Sequence, residues 1–129
     1  MTSSSVKILV VDDHQPTLRN WKQILQENHF SVLTANHGQE AYDLACQQHP
    51  NLIVSDIDMP EVDGFELLTR LKQTQSTQSI PVVICSGTSD QTSEYLAFSL
   101  GAIAYFKKPL CPSDLIEIVS ERCLSAPLV

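Results

Sequence analysis

Residues 51–56 read Asn51-Leu52-Ile53-Val54-Ser55-Asp56, an apolar run that stops at an acid. The run is short, rich in branched side chains and bounded by Pro50 and Pro60, which reads as a buried strand. In an open parallel sheet, ligands bind beyond the carboxyl ends of the strands, so a carboxylate there is placed for chemistry. The same ending recurs where Lys7-Ile8-Leu9-Val10-Val11 stops at Asp12-Asp13. Val82-Val83-Ile84-Cys85 stops at Ser86, and Ile103-Ala104-Tyr105-Phe106 stops at Lys107-Lys108. Four strand ends thus bring acids, a hydroxyl and an ammonium toward one edge.

Working outward, the hydrophobic period alternates between two and 3.6. Strands are expected near 7–11, 30–35, 51–56, 82–85 and 103–106. Helices are expected near 15–28, 38–48, 64–73, 90–99 and 113–124. Asp13 or His14 is expected to cap the first helix, with Pro16 in its first turn, and its inner face is Leu18, Trp21, Ile24 and Leu25. The second helix turns Ala41, Leu44 and Ala45 inward, and the third Phe65, Leu67, Leu68 and Leu71. The fourth is weakly amphipathic, with Tyr95, Leu96, Phe98 and Leu100 pointing several ways and Gly101 ending it. Pro112 and Ser113 start the fifth, and Pro127 lies past its end. Five β units alternating with five helices imply an α/β fold, a parallel sheet with helices on both faces, doubly wound by right-handed crossovers.

Size and charge narrow the function. A chain of 129 residues is one domain able to bury a real core. Its net charge of −7 argues against binding nucleic acid or an anionic membrane through bulk charge. No stretch approaches the roughly 18 apolar residues of a membrane span. The start, Met1-Thr2-Ser3-Ser4-Ser5, lacks the apolar core of a signal peptide. Cys46, Cys85, Cys111 and Cys123 form no C-x-x-C pair and read as reduced thiols of a cytoplasmic protein.

The acids set the chemistry. If the first and third strands are neighbours, Asp12, Asp13 and Asp56 converge. Two ionised carboxylates about 4 Å apart repel by about 4 kcal/mol at an effective dielectric near 20. Three together need a cation or must hold protons. Oxygen ligands favour Mg²⁺, Mn²⁺ or Ca²⁺, and a shallow site with few protein ligands suits Mg²⁺, which keeps waters and takes a phosphate partner. Lys108 reaches toward Asp56, with Ser86 beside it. Acid, metal, hydroxyl and ammonium together make a phosphoryl site, in which the carboxylate attacks phosphorus and the cations neutralise the phosphoryl oxygens. Each part also has a plainer use: Asp13 as a helix cap, Ser86-Gly87 as a turn, Lys107-Lys108 as a solvated pair.

The chain resembles the receiver domain of two-component response regulators, from Val6 to about Leu124. The matching motifs are Val-Asp-Asp at 11–13, Ser-Asp-Ile-Asp-Met-Pro-Glu-Val-Asp-Gly at 55–64, Ser-Gly at 86–87, Gly-Ala at 101–102 and Lys-Pro at 108–109. Each is weak alone; the ordered set is specific. The resemblance implies a single chemotaxis-regulator-like domain of flavodoxin-like (βα)5 type, with strand order 2-1-3-4-5. A receiver domain is expected over 6–124, with tails at 1–5 (disordered) and 125–129. By resemblance, Asp56 is the phosphoacceptor. Asp12, Asp13, the Asp56 carboxylate and the main-chain carbonyl of Asp58 hold Mg²⁺, with Mn²⁺ as a substitute. Ser86 follows the phosphoryl group, Lys108 pairs with its oxygens, and Tyr105 is the aromatic switch. Asp58 and Thr88 tune the lifetime of the phosphoryl group. The Lys108–Pro109 peptide is expected to be cis.

The implied function is a phosphorylation-controlled switch. It takes its phosphoryl group from a histidine kinase or histidine phosphotransfer protein, and shifts the loop after strand four and Tyr105 to change binding of a downstream protein. It is not an enzyme beyond its own phosphorylation and slow dephosphorylation. No direct contact with nucleic acid or membrane is expected. The fourth helix and its surroundings are poor in basic residues, so a monomer or weak dimer is expected. Two departures from the family pattern stand out. Ser86 replaces the commoner Thr, and His29 sits where Gly is frequent, so Asn28 is expected to adopt the left-handed turn. Asp56-x-Asp58 also resembles the first motif of haloacid-dehalogenase-type phosphatases. That motif normally ends the first strand, however, and Asp12-Asp13 would go unexplained. A pseudo-receiver that binds without phosphorylation is opposed by the complete acid, hydroxyl and lysine set.

Overall fold

The computed structural model describes residues 6–87 and 91–124. Strands β1 (Lys7–Val11), β2 (Ser31–Ala35), β3 (Leu52–Asp56), β4 (Val82–Ser86) and β5 (Ala104–Lys107) alternate with helices α1 (Gln15–Glu27), α2 (Gly38–Gln48), α3 (Gly64–Gln73), α4 (Gln91–Ser99) and α5 (Pro112–Val119). The sheet is parallel and ordered β2-β1-β3-β4-β5, as the resemblance implies. Central β3 and β4 are buried throughout, which is why both read as continuous apolar runs.

Period-two alternation sorts the strands onto two cores. Leu9, Val11, Ile53, Val82 and Ile84 pack with Ala41, Ala45, Leu67, Leu68, Leu71 and Ala97 of α2, α3 and α4. Ile8, Val10, Leu52, Val54, Val83 and Cys85 pack with Leu18, Trp21, Leu25, Leu115 and Val119 of α1 and α5. Ile24, Leu44 and Phe65 prove half-buried rather than fully inward. On α4, Ala97 is the buried residue, while Tyr95, Leu96 and Phe98 are exposed.

Some local expectations need correction. His29, not Asn28, takes the left-handed backbone, with φ 71° against −97° for Asn28. The pattern is a Schellman end: His29 N–H donates to the Gln26 carbonyl and Phe30 N–H to the Leu25 carbonyl. That geometry assigns the positive φ to the residue after the cap, whatever its side chain. The cap of α1 is His14, but its side chain makes no capping bond; Asp12 Oδ1 instead accepts the His14 N–H at 2.9 Å. Strand β5 lies one residue later than expected, because Lys107 pairs with Ser86 in the ladder. Helix five keeps α geometry only over Pro112–Val119, then widens to a π turn at Ser120–Leu124. The expected tails at 1–5 and 125–129, Pro127, Thr88 and the helix start at 90 lie outside the described residues. Among those residues, no helix is long and apolar enough to cross a membrane.

Candidate phosphoryl site

The carboxyl ends of β1, β3 and β5 bring Asp12, Asp13, Asp56 and Lys108 together. Carboxylate oxygens of the three acids lie within 4.8 Å of one another. Asp12 and Asp56 are buried, and Asp13 is exposed at the mouth. Lys108 Nζ sits 2.9 Å from Asp12 Oδ2 and 3.2 Å from Asp56 Oδ1. The Lys108–Pro109 peptide is cis. Ser86 ends β4, buried, and its carbonyl accepts the Lys108 N–H at 2.7 Å. Its neighbour Cys85 is the register partner of Asp56.

The two oxygens of Asp56 have different surroundings. Oδ1 accepts the Ile57 N–H at 2.9 Å and faces Lys108. Oδ2 accepts no hydrogen bond among the described residues. One oxygen is held and the other is available. Burial pushes the Asp56 carboxyl above its ordinary range and Asp12 adds to this, with Lys108 opposing. Burial alone would depress the Lys108 ammonium, but Asp12 and Asp56 outweigh it and hold its pKa above the usual lysine value. Burial pushes the Cys85 thiol up to about 12.

The loop after β3 is built for close approach. A Cβ on Gly64 would collide with the Asp56 carbonyl oxygen and meet the Ile57 Cα at 2.8 Å. Gly64 N–H donates to the Ile57 carbonyl at 2.8 Å, and Asp63 Oδ1 caps α3 through the Glu66 N–H. Between them Glu61 holds a left-handed φ of 66°, a cost that clusters at functional loops. In the sequence Gly64 reads as the entry to the third helix and the last residue of the 55–64 motif; its close approach to the Asp56 backbone emerges only in the folded loop.

The remaining residues sit around this group. Asp58 is exposed, two positions beyond Asp56. Tyr105 is half-buried on β5 beside Ile84, packed against the core on the α2–α4 face. A cavity between α1 and the β5–α5 turn opens onto Asp12, Asp56 and Lys108. It went unseen in the sequence, where Trp21 and Ile24 read only as helix core. Three oxygen-donor acids facing one ammonium fit a hard divalent cation, which would balance charge that Lys108 alone leaves uncompensated.

Residues 8–120 match the family model of the response regulator receiver domain. A 14.6 kDa protein of Leptolyngbya boryana is 32% identical over 126 residues, covering 98% of this chain and 96% of its own. The transcriptional regulatory protein SrrA of Staphylococcus aureus is 32% identical over 112 residues; the match covers 87% of this chain but only 45% of that protein. The crystal structure of a CheY-like response regulator receiver domain protein from Methanospirillum hungatei superimposes with a TM-score of 0.85 at 30% identity, covering 92% of this chain and 93% of that one. With the sheet order, the acid cluster and these likenesses in agreement, the chain belongs to the response regulator receiver domain family.

Proposed function

We propose that this receiver domain is a phosphorylation switch in which Asp56 accepts a phosphoryl group from a histidine kinase or histidine phosphotransfer protein. The observation that carries this reading is the division of labour at Asp56. Oδ1 is anchored by the Ile57 N–H and Lys108, and Oδ2 has no protein partner among the described residues. Oδ2 attacks phosphorus, the bond from phosphorus to the donor nitrogen breaks, and that nitrogen leaves with its electron pair. Lys108 offers its ammonium to the phosphoryl oxygens, and Ser86 donates its hydroxyl to one of them. Asp12, Asp13, Asp56 and the Asp58 carbonyl would hold Mg²⁺, or Mn²⁺ in its place. That cation supplies charge neutralisation at the phosphoryl oxygens.

The new phosphate adds negative charge at a buried strand end. Ser86 and the loop after β4 follow it, Tyr105 turns inward, and the surface around α4 and β5 changes for a downstream protein. Asp58 and Thr88 set how long the state lasts. The domain works in the cytoplasm, catalyses only its own phosphorylation and slow reset, and touches neither nucleic acid nor membrane directly.

Intact-mass measurement tests this. With a small acyl phosphate and Mg²⁺, the protein should gain one phosphoryl group and lose it slowly. Rapid turnover of a generic phosphate ester with no lasting adduct would instead make it a hydrolase.

A further inference from the structure

The cavity between α1 and the β5–α5 turn has a volume of about 470 Å³. Small-molecule sites occupy roughly 300–1,000 Å³. Its apolar lining includes Val10 and Val54 of the sheet, Trp21 and Ile24 of α1, and Leu110 after β5, and α1 adds the polar Thr17 and Asn20. Its polar end is formed by Asp12, Asp56 and Lys108.

Two observations define what would fill it. At the polar end the carboxylates outnumber the ammonium, and the buried Asp56 Oδ2 accepts no hydrogen bond among the described residues. On the apolar wall Trp21 is buried, and among the described residues its indole N–H finds no acceptor. Buried indole N–H groups usually have a partner. Thr17 and Ile24 both line the cavity, and α1 rises about 10 Å between them, the length of an aromatic ring with a two-carbon arm.

We propose that this cavity binds a small amphipathic amine, with its ammonium on the Asp56 carboxylate beside Asp12, a flat apolar body against Trp21, Ile24 and Val54, and a hydrogen-bond acceptor for the Trp21 indole N–H. Lys108 occupies Asp12 Oδ2 and Asp56 Oδ1, which leaves Asp56 Oδ2 for the ligand. The bound ammonium competes with a divalent cation for the same acids, so the ligand withholds Asp56 from phosphodonors. The binding itself does not depend on Asp56 accepting a phosphoryl group.

Trp21 is the single tryptophan of the chain, so its indole N–H gives one NMR cross-peak. Tyramine is the probe, with tyrosol as its neutral counterpart and hydroxyphenylpropionate as its anionic one. Tyramine should shift the indole peak saturably, and both counterparts should bind about tenfold more weakly or less. Added Mg²⁺ should weaken tyramine binding. Ile24→Phe fills the body of the cavity and should abolish the tyramine shift while leaving the Mg²⁺-induced shifts intact. Val54→Ile fills the same space from the sheet if Ile24→Phe does not fold. The absence of a saturable tyramine shift, equal binding of the anion, or undiminished binding in a folded filling variant would overturn the proposal.

Discussion

Asp56 is expensive for the fold to keep. It is an ionisable group only 6% exposed, beside a second buried acid and opposed by one ammonium. Asp56→Asn keeps the shape and removes the repulsion with Asp12. It should therefore raise stability by about 1 kcal/mol, the usual trade between an active site and its scaffold, measurable by urea denaturation. Gly64→Ala acts in the opposite direction. Its Cβ collides with the Asp56 carbonyl, so β3 and the loop must separate. The cost should be roughly 1–3 kcal/mol. The displaced carboxylate should accept phosphoryl groups at least about tenfold more slowly in a phosphodonor time course. The thiols divide as sharply. Cys85 is buried with its pKa near 12, whereas Cys111 is exposed, with hydrogen bonds from Ser113 drawing its pKa below the usual thiol value. A thiol reagent at neutral pH should modify Cys111 well before Cys85 by peptide mapping.

Among the elements, the ends of helices were harder to read than their faces. Strand β3 was legible because it is buried on both sides, so nothing interrupts its apolar run. The inward stripes of α1 and α3 were legible for the same reason, burial following period. The left-handed turn after α1 was not, because composition favours Asn there while the Schellman hydrogen bonds place it at His29. A non-glycine residue in that region costs about 1–2 kcal/mol. His29→Gly should thus stabilise the domain by about 1 kcal/mol and raise its melting temperature by a few degrees. The start of β5 was obscured for a related reason. Ile103 and Ala104 are both apolar, and only the pairing of Val83 with Ala104 decides where the ladder begins.

At the scale of the whole molecule, the order of the strands turns residues distant in sequence into one site. Asp12, Asp56 and Lys108 meet because β1, β3, β4 and β5 run parallel and end at one edge. That convergence was legible once the strands were. The cavity beside it was not, since its walls come from residues that any core would use. The outer surface of α4 mixes apolar and uncharged polar side chains, with Tyr95 75% and Phe98 45% exposed and Glu94 the only charged residue between Gln91 and Ser99. Exposed ion pairs contribute roughly 0–1 kcal/mol each, so a dimer through this region would need several, and Lys107 and Arg122 are its few basic residues outside the site. Sedimentation velocity should show a monomer or weak dimer before phosphorylation, with beryllofluoride as the phosphoryl mimic for comparison. A tight dimer bridged by charged side chains of α4 and α5 would contradict this. Whether Asp56 is the phosphoacceptor is measured directly by labelling wild type and Asp56→Asn side by side with a small phosphodonor and Mg²⁺. Wild type should gain one phosphoryl group and Asp56→Asn none; a variant labelled as fully as wild type would put the phosphoryl group on another residue.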